Sequence, residues 1–170
     1  MTGELRYVTF NTSMGWMALL GSITGLLRST LPHRSAEEAS QLLGNSIDYA
    51  AWSPHLFADL IVRLQRYLAG HRVTFPDELN LSRATAFQRQ VWEATRLIPY
   101  GETRSYGWVA GRVGKPGAAR AVGQALTRNP LPVIIPCHRV VAGNGEPGGY
   151  RGGVGLKGYL LFLEASAKGR

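Results

Sequence analysis

A single cysteine, Cys137, stands in a chain of 170 residues. That removes internal disulfides and multi-cysteine zinc cages from the ways such a chain can be held together. The fold must therefore rest on hydrophobic cores, and with 45% hydrophobic and 18% charged residues there is enough for one large domain or two small ones. The thiol itself is either a packed small side chain or a reactive group. No stretch reaches the ~18 consecutive apolar residues of a membrane span. The segment Met1 to Phe10 is mixed polar, without a secretory pattern. The expectation is a soluble, cytoplasmic protein with no membrane partner.

The chain holds 19 Lys and Arg against 11 Asp and Glu, a formal charge of +8. Such an excess favours a polyanionic partner such as nucleic acid, although solubility charge accounts for it almost as well. From Arg83 onward the arginines fall on segments that read as helices and turns, which points to a folded basic surface rather than a basic tail.

The texture changes near Leu81. Before it, short apolar runs (Tyr7 to Phe10, Trp16 to Leu20, Gly25 to Leu27) alternate with turn residues, the pattern of a small antiparallel meander. Ser35 reads as a helix N-cap with Glu37 and Glu38 in the first turn and Gly44 as its stop. Leu56, Leu60, Leu64 and Leu68 predict an amphipathic helix over His55 to Leu68, packed on the sheet and stopped by Gly70. Val73 to Leu81 reads as an extended linker. Expected domains are therefore 1–80 and 81–170.

In the second domain the pattern predicts helices over Thr85 to Leu97, Ser105 to Val113 and Pro116 to Arg128, the last two joined by Gly114. That spacing suits a helix-turn-helix, and an ordinary helical hairpin equally. Leu131 to Ile135 reads as a short extended segment, Gly143 to Gly155 as a glycine-rich loop, and Leu156 to Ala165 as a closing helix carrying Glu164.

The tetrapeptide Pro136-Cys137-His138-Arg139 carries the chemistry, because a thiol needs a base or a positive neighbour to become a thiolate at neutral pH. Taken alone it fits a buried inert cysteine beside a structural histidine at least as well. The wider segment Asn129-Pro130-Leu131-Pro132-Val133-Ile134-Ile135-Pro136-Cys137-His138-Arg139-Val140-Val141 resembles the active-site segment of the O6-alkylguanine-DNA alkyltransferases. Further stretches are similar in the same order: Phe87 to Trp92, Ile98 to Thr103, Ser105-Tyr106, Ala118 to Gly123, Gly149 to Gly153 and Leu160 to Glu164.

The resemblance implies an α/β fold: a small N-terminal antiparallel sheet with helices, of ribonuclease-H-like outline, then a mostly helical winged-helix-like domain with a helix-turn-helix. It implies single-turnover repair, in which the alkyl group of O6-alkylguanine, and of O4-alkylthymine, moves irreversibly to Cys137. His138 would take the thiol proton through a water, Glu164 would orient His138, Asn129 would fix the segment, and Tyr106 would donate a proton to guanine N3. Tyr150, Arg151, Pro132 and Val140 would form the base pocket, with Cys137, Val140 and Arg151 contributing backbone groups.

For DNA, the resemblance implies minor-groove binding by the second helix of the motif. Arg120 would fill the space of a flipped base, and the small residues Ala119, Ala121 and Gly123 would allow close approach. Arg112, Lys115 and Arg128 are candidates for phosphate contacts. No cofactor and no metal are expected. The free protein should be monomeric, with cooperative binding on DNA left open.

Three other classes fit parts of this pattern. A non-catalytic lesion-binding module should lack a cysteine at this position. A helix-turn-helix regulator with an incidental thiol would bind operator-like DNA without any transfer. A cysteine hydrolase would turn over repeatedly, yet no oxyanion-hole motif is visible.

Overall fold

The computed structural model describes residues 4–167. Residues 1–3 and 168–170, included in the expected domains, lie outside the described residues. The chain divides into two units, one running to Leu81 and the other from Ser82 to Ser166.

The first unit is a mixed α/β layer. Strands β1 (Arg6–Thr12), β2 (Gly15–Ser22) and β3 (Gly25–Ser29) form the expected antiparallel meander. Both hairpins close on two-residue loops, and glycine is required after each. Gly15 has φ +124 and a Cβ there would stand 2.5 Å from the His33 carbonyl oxygen; Gly25 has φ +140 and faces the Leu79 backbone at 2.9 Å. The sheet is not purely antiparallel, however. A fourth strand, β4 (Ala51–Trp52), pairs parallel with β1 and gives the order β3-β2-β1-β4. Two residues are too few to leave a hydrophobic period in the sequence, and this strand forms because β1 offers its free edge.

Alternation along the strands puts Ala18 and Leu20 on one face, where they pack with Ala39 and Leu43 at helix α1 (Ala36–Gln41). Ser35 caps α1 by accepting from the Glu38 N–H at 3.1 Å. The helix ends at Leu42, before the expected Gly44, which instead opens a 3-10 turn over Gly44–Tyr49. Helix α2 (Ala58–Leu68) contacts β1 and buries Leu60, Leu64, Tyr67 and Leu68. Leu56, expected to begin that stripe, lies before the helix and stays exposed. The extended stretch read as a linker is anchored through its middle and second half: Arg63 holds Asp77 through two 2.7 Å bonds, and Leu26 exchanges backbone hydrogen bonds with Glu78 and Asn80.

The second unit is mostly helical. Helix α3 (Ala86–Arg96) begins with a capping box in which Thr85 and Gln88 satisfy each other's backbone N–H. Its Trp92 indole donates to the Ala125 carbonyl on helix α5 (Ala119–Thr127) at 2.9 Å, joining the two helices. Helix α4 (Tyr106–Arg112) is capped by Ser105 and leads through a turn at Gly114, φ +77, into α5. Helix α6 (Val154–Ala165) closes the unit. Eleven of the 19 Lys and Arg but only 4 of the 11 acids lie between Ser82 and Ser166, so this unit carries nearly all of the excess positive charge.

Two features of this unit differ from the sequence expectation. Arg104–Ser105 forms a short strand, β5, that pairs parallel with β6 (Val140–Val141), which brings the start of α4 beside the cysteine segment. Leu131 to Ile135 is a tight turn rather than an extended run: the Ile135 N–H reaches back to the Leu131 carbonyl at 2.8 Å, and Val133 sits at φ +74. A β-branched residue in that region costs about 1 to 3 kcal/mol, a strain that only the surrounding contacts can impose.

Candidate active site

Asn129 imposes that turn. Its side-chain oxygen accepts from the Leu131 N–H at 2.8 Å, while its Nδ2 donates to the Ile135 carbonyl at 2.9 Å and to the Cys137 sulfur at 3.1 Å. Cys137 opens a one-turn 3-10 helix over Cys137–Arg139 and is only 8% exposed, so any reacting partner must enter the protein to meet it. Burial pushes the thiol above its ordinary pKa; the Asn129 amide and the positive charges of Lys157 and Arg151 work in the opposite direction without overcoming it. At rest the sulfur is a thiol, and ionisation needs a base.

His138 and Glu164 are both fully buried, and His138 Nε2 lies 2.6 Å from Glu164 Oε2. Burial pushes the imidazole below its ordinary pKa; Glu164 opposes this, and the nearby Arg139 and Lys157 reinforce it. The ring is therefore neutral at pH 7. Glu164 is held by donors on both oxygens: Oε1 accepts from the Gly101 N–H and Arg139 Nε at 2.9 Å each, and Oε2 accepts from an Arg139 terminal nitrogen at 3.1 Å. Burial by itself would raise this carboxyl, but the His138 hydrogen bond and charge and the Arg139 guanidinium bring it down to about 2. An ionised carboxylate only accepts, so Nε2 carries the imidazole hydrogen and Nδ1 is the basic nitrogen.

Lys157 is the residue that sequence reasoning missed. It is fully buried on α6, with its ammonium donating to the Val140 carbonyl at 2.6 Å and the Gly149 carbonyl at 3.2 Å. No carboxylate lies within ion-pair distance of it among the described residues; burial pushes its pKa below the ordinary value, and the group that opposes this is Cys137. A buried cation with neutral acceptors and a thiol nearby is poised to stabilise the thiolate. A signal was present: Lys157, Leu160 and Glu164 fall on one face of α6, so a lysine and an acid share the stripe of a core leucine. Arg139, noted only as a neighbour of the thiol, proved to be the buried partner of Glu164 and also donates to the Ile98 carbonyl at 2.8 Å.

The remaining expected residues separate into two groups. Tyr106 and Tyr150 lie within the electrostatic reach of Cys137, and the Val140 N–H donates to the Cys137 carbonyl. The Tyr106 hydroxyl is hydrogen-bonded by the Gly149 backbone, and burial together with the sulfur's charge pushes its pKa up, which keeps it a proton donor. The Tyr150 hydroxyl is out of solvent with no hydrogen-bond partner among the described residues, and burial raises its pKa well above the ordinary value. Pro132 is buried in the strained turn, and the Val140 carbonyl already holds Lys157, leaving one lone pair for a further donor. Arg151, by contrast, points outward and donates to the Thr127 carbonyl.

Arg112, Lys115, Arg120, Ala121 and Arg128 are exposed, and Ala119 is half-buried. Gly123 faces inward, 3.8 Å from the Tyr106 ring at the position a Cβ would take. Its small size therefore serves the packing of α5 on Tyr106 as well as any approach from outside. Arg104 and Arg112 lie over the Trp108 ring at 5.5 and 6.0 Å, and Lys115 over Phe87 at 5.3 Å, so part of this basic surface is braced by aromatics. No group of three or more His, Cys, Asp or Glu suited to a metal occurs among the described residues, and no helix there is long and apolar enough to cross a membrane.

A buried thiol that accepts a hydrogen bond from an amide, feels the charge of a buried lysine and is followed by a histidine held by a carboxylate has the surroundings of a cysteine nucleophile. The family model for the 6-O-methylguanine DNA methyltransferase DNA-binding domain matches residues 86–166. Methylated-DNA–protein-cysteine methyltransferase of Mycobacterium tuberculosis is 50% identical over 164 residues, covering 95% of this chain and 93% of its own. A crystal structure of the Mycobacterium tuberculosis OGT in complex with DNA superposes with a TM-score of 0.81 at 40% identity, covering 96% of each chain. The O6-methylguanine-DNA methyltransferase of Pyrococcus kodakaraensis shares the fold, with a TM-score of 0.70 at 23% identity over 94% of this chain and 98% of that one. The chain belongs to the methylated-DNA–protein-cysteine methyltransferase family.

Proposed function

We propose that this protein repairs alkylated DNA by direct reversal, taking the alkyl group of O6-alkylguanine, and of O4-alkylthymine, onto Cys137 once per molecule. The observation that carries this reading is the environment of the sulfur, which accepts a hydrogen bond from Asn129 at 3.1 Å and lies in the field of the buried Lys157. The thiol proton passes through a water to Nδ1 of His138, whose other nitrogen is fixed by Glu164. The thiolate attacks the alkyl carbon in line, the carbon–O6 bond breaks, and a thioether forms. The guanine anion takes a proton at N3 from the Tyr106 hydroxyl, which is replenished from solvent. Nothing in the site hydrolyses a thioether, so the protein is spent.

The sulfur is too enclosed to reach a stacked base, so the nucleotide must flip out at a cost of a few kcal/mol. In this reading α4 and α5 form a helix-turn-helix within a winged-helix-like domain, α5 enters the minor groove, and exposed Arg120 takes the place of the flipped base. Arg112, Lys115 and Arg128 contact phosphates, and the first unit, of ribonuclease-H-like outline, supports the second. Tyr150, Pro132 and Val140 wall the base, with backbone groups of Cys137, Val140 and Arg151 along its edge. The protein acts as a cytoplasmic monomer.

Mixing the protein with duplex DNA carrying one O6-methylguanine and weighing the intact chain tests the assignment. A gain of one methyl, stopping at one equivalent and absent from Cys137→Ser, is expected. Tight binding to the lesion with no gain in mass would make it a sensor instead.

Arg120→Ala should slow repair of duplex DNA by roughly tenfold or more while leaving reaction with free O6-alkylguanine base within about twofold, because only the duplex pays for flipping. Equal losses on both substrates would remove Arg120 from the flipping step.

A further inference from the structure

No basic residue lies within the last turn of helix α5, whose C-cap is Arg128, and the Thr127 side chain donates back to the Gly123 carbonyl. The Thr127 carbonyl is served instead by the guanidinium of Arg151, 24 residues further along the chain. A positive donor at a helix C-terminus is favoured by both the orphan carbonyls and the helix dipole. Arg151 sits in the glycine-rich loop between β6 and α6, directly after Tyr150.

That loop is gripped at its inner side as well. Lys157 donates to the Gly149 carbonyl, and at Gly148, φ +73, a Cβ would lie 2.5 Å from the Tyr106 hydroxyl, so the backbone presses directly on that tyrosine. Between Ala142 and Gly153 the loop's own bonds cluster at its two ends: Ala142 N–H to the Glu146 carbonyl at 2.8 Å, Gly145 N–H to the Ala142 carbonyl at 2.9 Å and Glu146 N–H to the Asn144 side chain at 3.0 Å at the start, and Gly153 N–H to the Tyr150 carbonyl at 3.0 Å at the end. Gly145 and Gly153 also take positive φ. A glycine-rich span with so few internal bonds holds its place through external attachments. Arg151 supplies the side-chain bond from the loop to α5.

We infer that Arg151 is a specificity-determining latch, tying the pocket wall that carries Tyr150 to the end of α5 and so restricting transfer to small alkyl groups. The inference rests on the reading of function above. A methyl group fits while the wall stays latched, whereas a benzyl group needs the wall to move and the bond between Arg151 and Thr127 to break. The latch therefore acts on the difference between two adducts rather than on the chemical step that both share. Charge from Arg151 also favours the Cys137 thiolate, but that effect is common to every substrate and cancels in a ratio.

The test compares single-turnover rates on otherwise identical duplexes carrying O6-methylguanine or O6-benzylguanine, for wild type, Arg151→Met and Arg151→Lys. In Arg151→Met the benzyl-to-methyl ratio should rise roughly threefold to tenfold, the scale of one exposed charge-assisted hydrogen bond. Arg151→Lys, which can still donate to the carbonyl, should stay near the wild-type ratio. A ratio unchanged in Arg151→Met, or raised equally by lysine, overturns the latch. Hydrogen exchange gives a reading independent of the chemistry: backbone amides between Ala142 and Gly153 should exchange faster in Arg151→Met, and equal protection again overturns it. If the wild type accepts neither alkyl group, the assignment of function itself has failed, and the specificity role falls with it.

Discussion

Glu164→Ala should lose about 3 to 5 kcal/mol of stability, the usual consequence of removing one partner from a buried ion pair. The deletion strands the Arg139 guanidinium, His138 Nε2 and the Gly101 N–H inside the protein at once, since all three donate to this carboxylate. Against a typical total of about 5 to 15 kcal/mol, such a loss moves the urea midpoint far enough to be unmistakable. Transfer activity should fall with it, because the imidazole loses the acceptor that fixes its tautomer. Glu164→Gln separates the two effects. It keeps the shape but presents a donor to another donor on one side, so it should fold better than the alanine variant and still transfer slowly. Wild-type stability in either variant would mean that the network is not worth what its burial implies.

The same network sets the acid limit. Glu164 is held at about 2, below its unfolded value, so its contribution is complete above about pH 4.5 and disappears as pH falls toward 2. Depression by roughly two to three pH units corresponds to about 3 kcal/mol. His138 is also depressed, by burial first, so protonation of the unfolded chain begins to cost stability below about pH 6.5. Both act in one direction, and Glu164→Gln should flatten the lower part of the curve.

Lys157→Met should move the transfer reaction toward alkaline pH. The lysine charge favours the thiolate, so its loss leaves burial to raise the thiol further. The rising limb of the pH–rate profile should shift upward by about one pH unit or more, with roughly a tenfold or greater loss of rate at neutral pH that is recovered at high pH. Lys157→Arg, which retains charge, should fall between the two. If the curve instead drops uniformly and keeps its position, Lys157 only anchors the carbonyls of Val140 and Gly149.

Part of this site is local in the sequence. Asn129, Cys137 and His138 lie within ten positions of one another, and Asn129 reaches the sulfur through a turn made by the residues between them. Helix signals were equally local: the Ser35 cap and the leucine spacing of α2 involve neighbours within one or two turns. What was misread involved distant partners. β4 and β5 are two residues each and form only because another strand is already in place. The run Leu131 to Ile135 has the composition of a strand, and a side chain outside the run bends it into a turn.

The sequence by itself determined where the helices behind Ser35, Thr85 and Ser105 begin, that one thiol must carry any cysteine chemistry, and that the positive charge belongs to the second half of the chain. Tertiary structure alone decided which charges matter. Lys157 and Arg139 look in sequence like two more surface cations, and burial makes one the neighbour of the thiol and the other the partner of Glu164. The reason is that an ion's energy depends on what surrounds it in space: in water a charge is nearly indifferent to its neighbours, but once desolvated it must be answered by a specific group, and only the folded chain brings Arg139 to Ile98 and Glu164, and Lys157 to Val140.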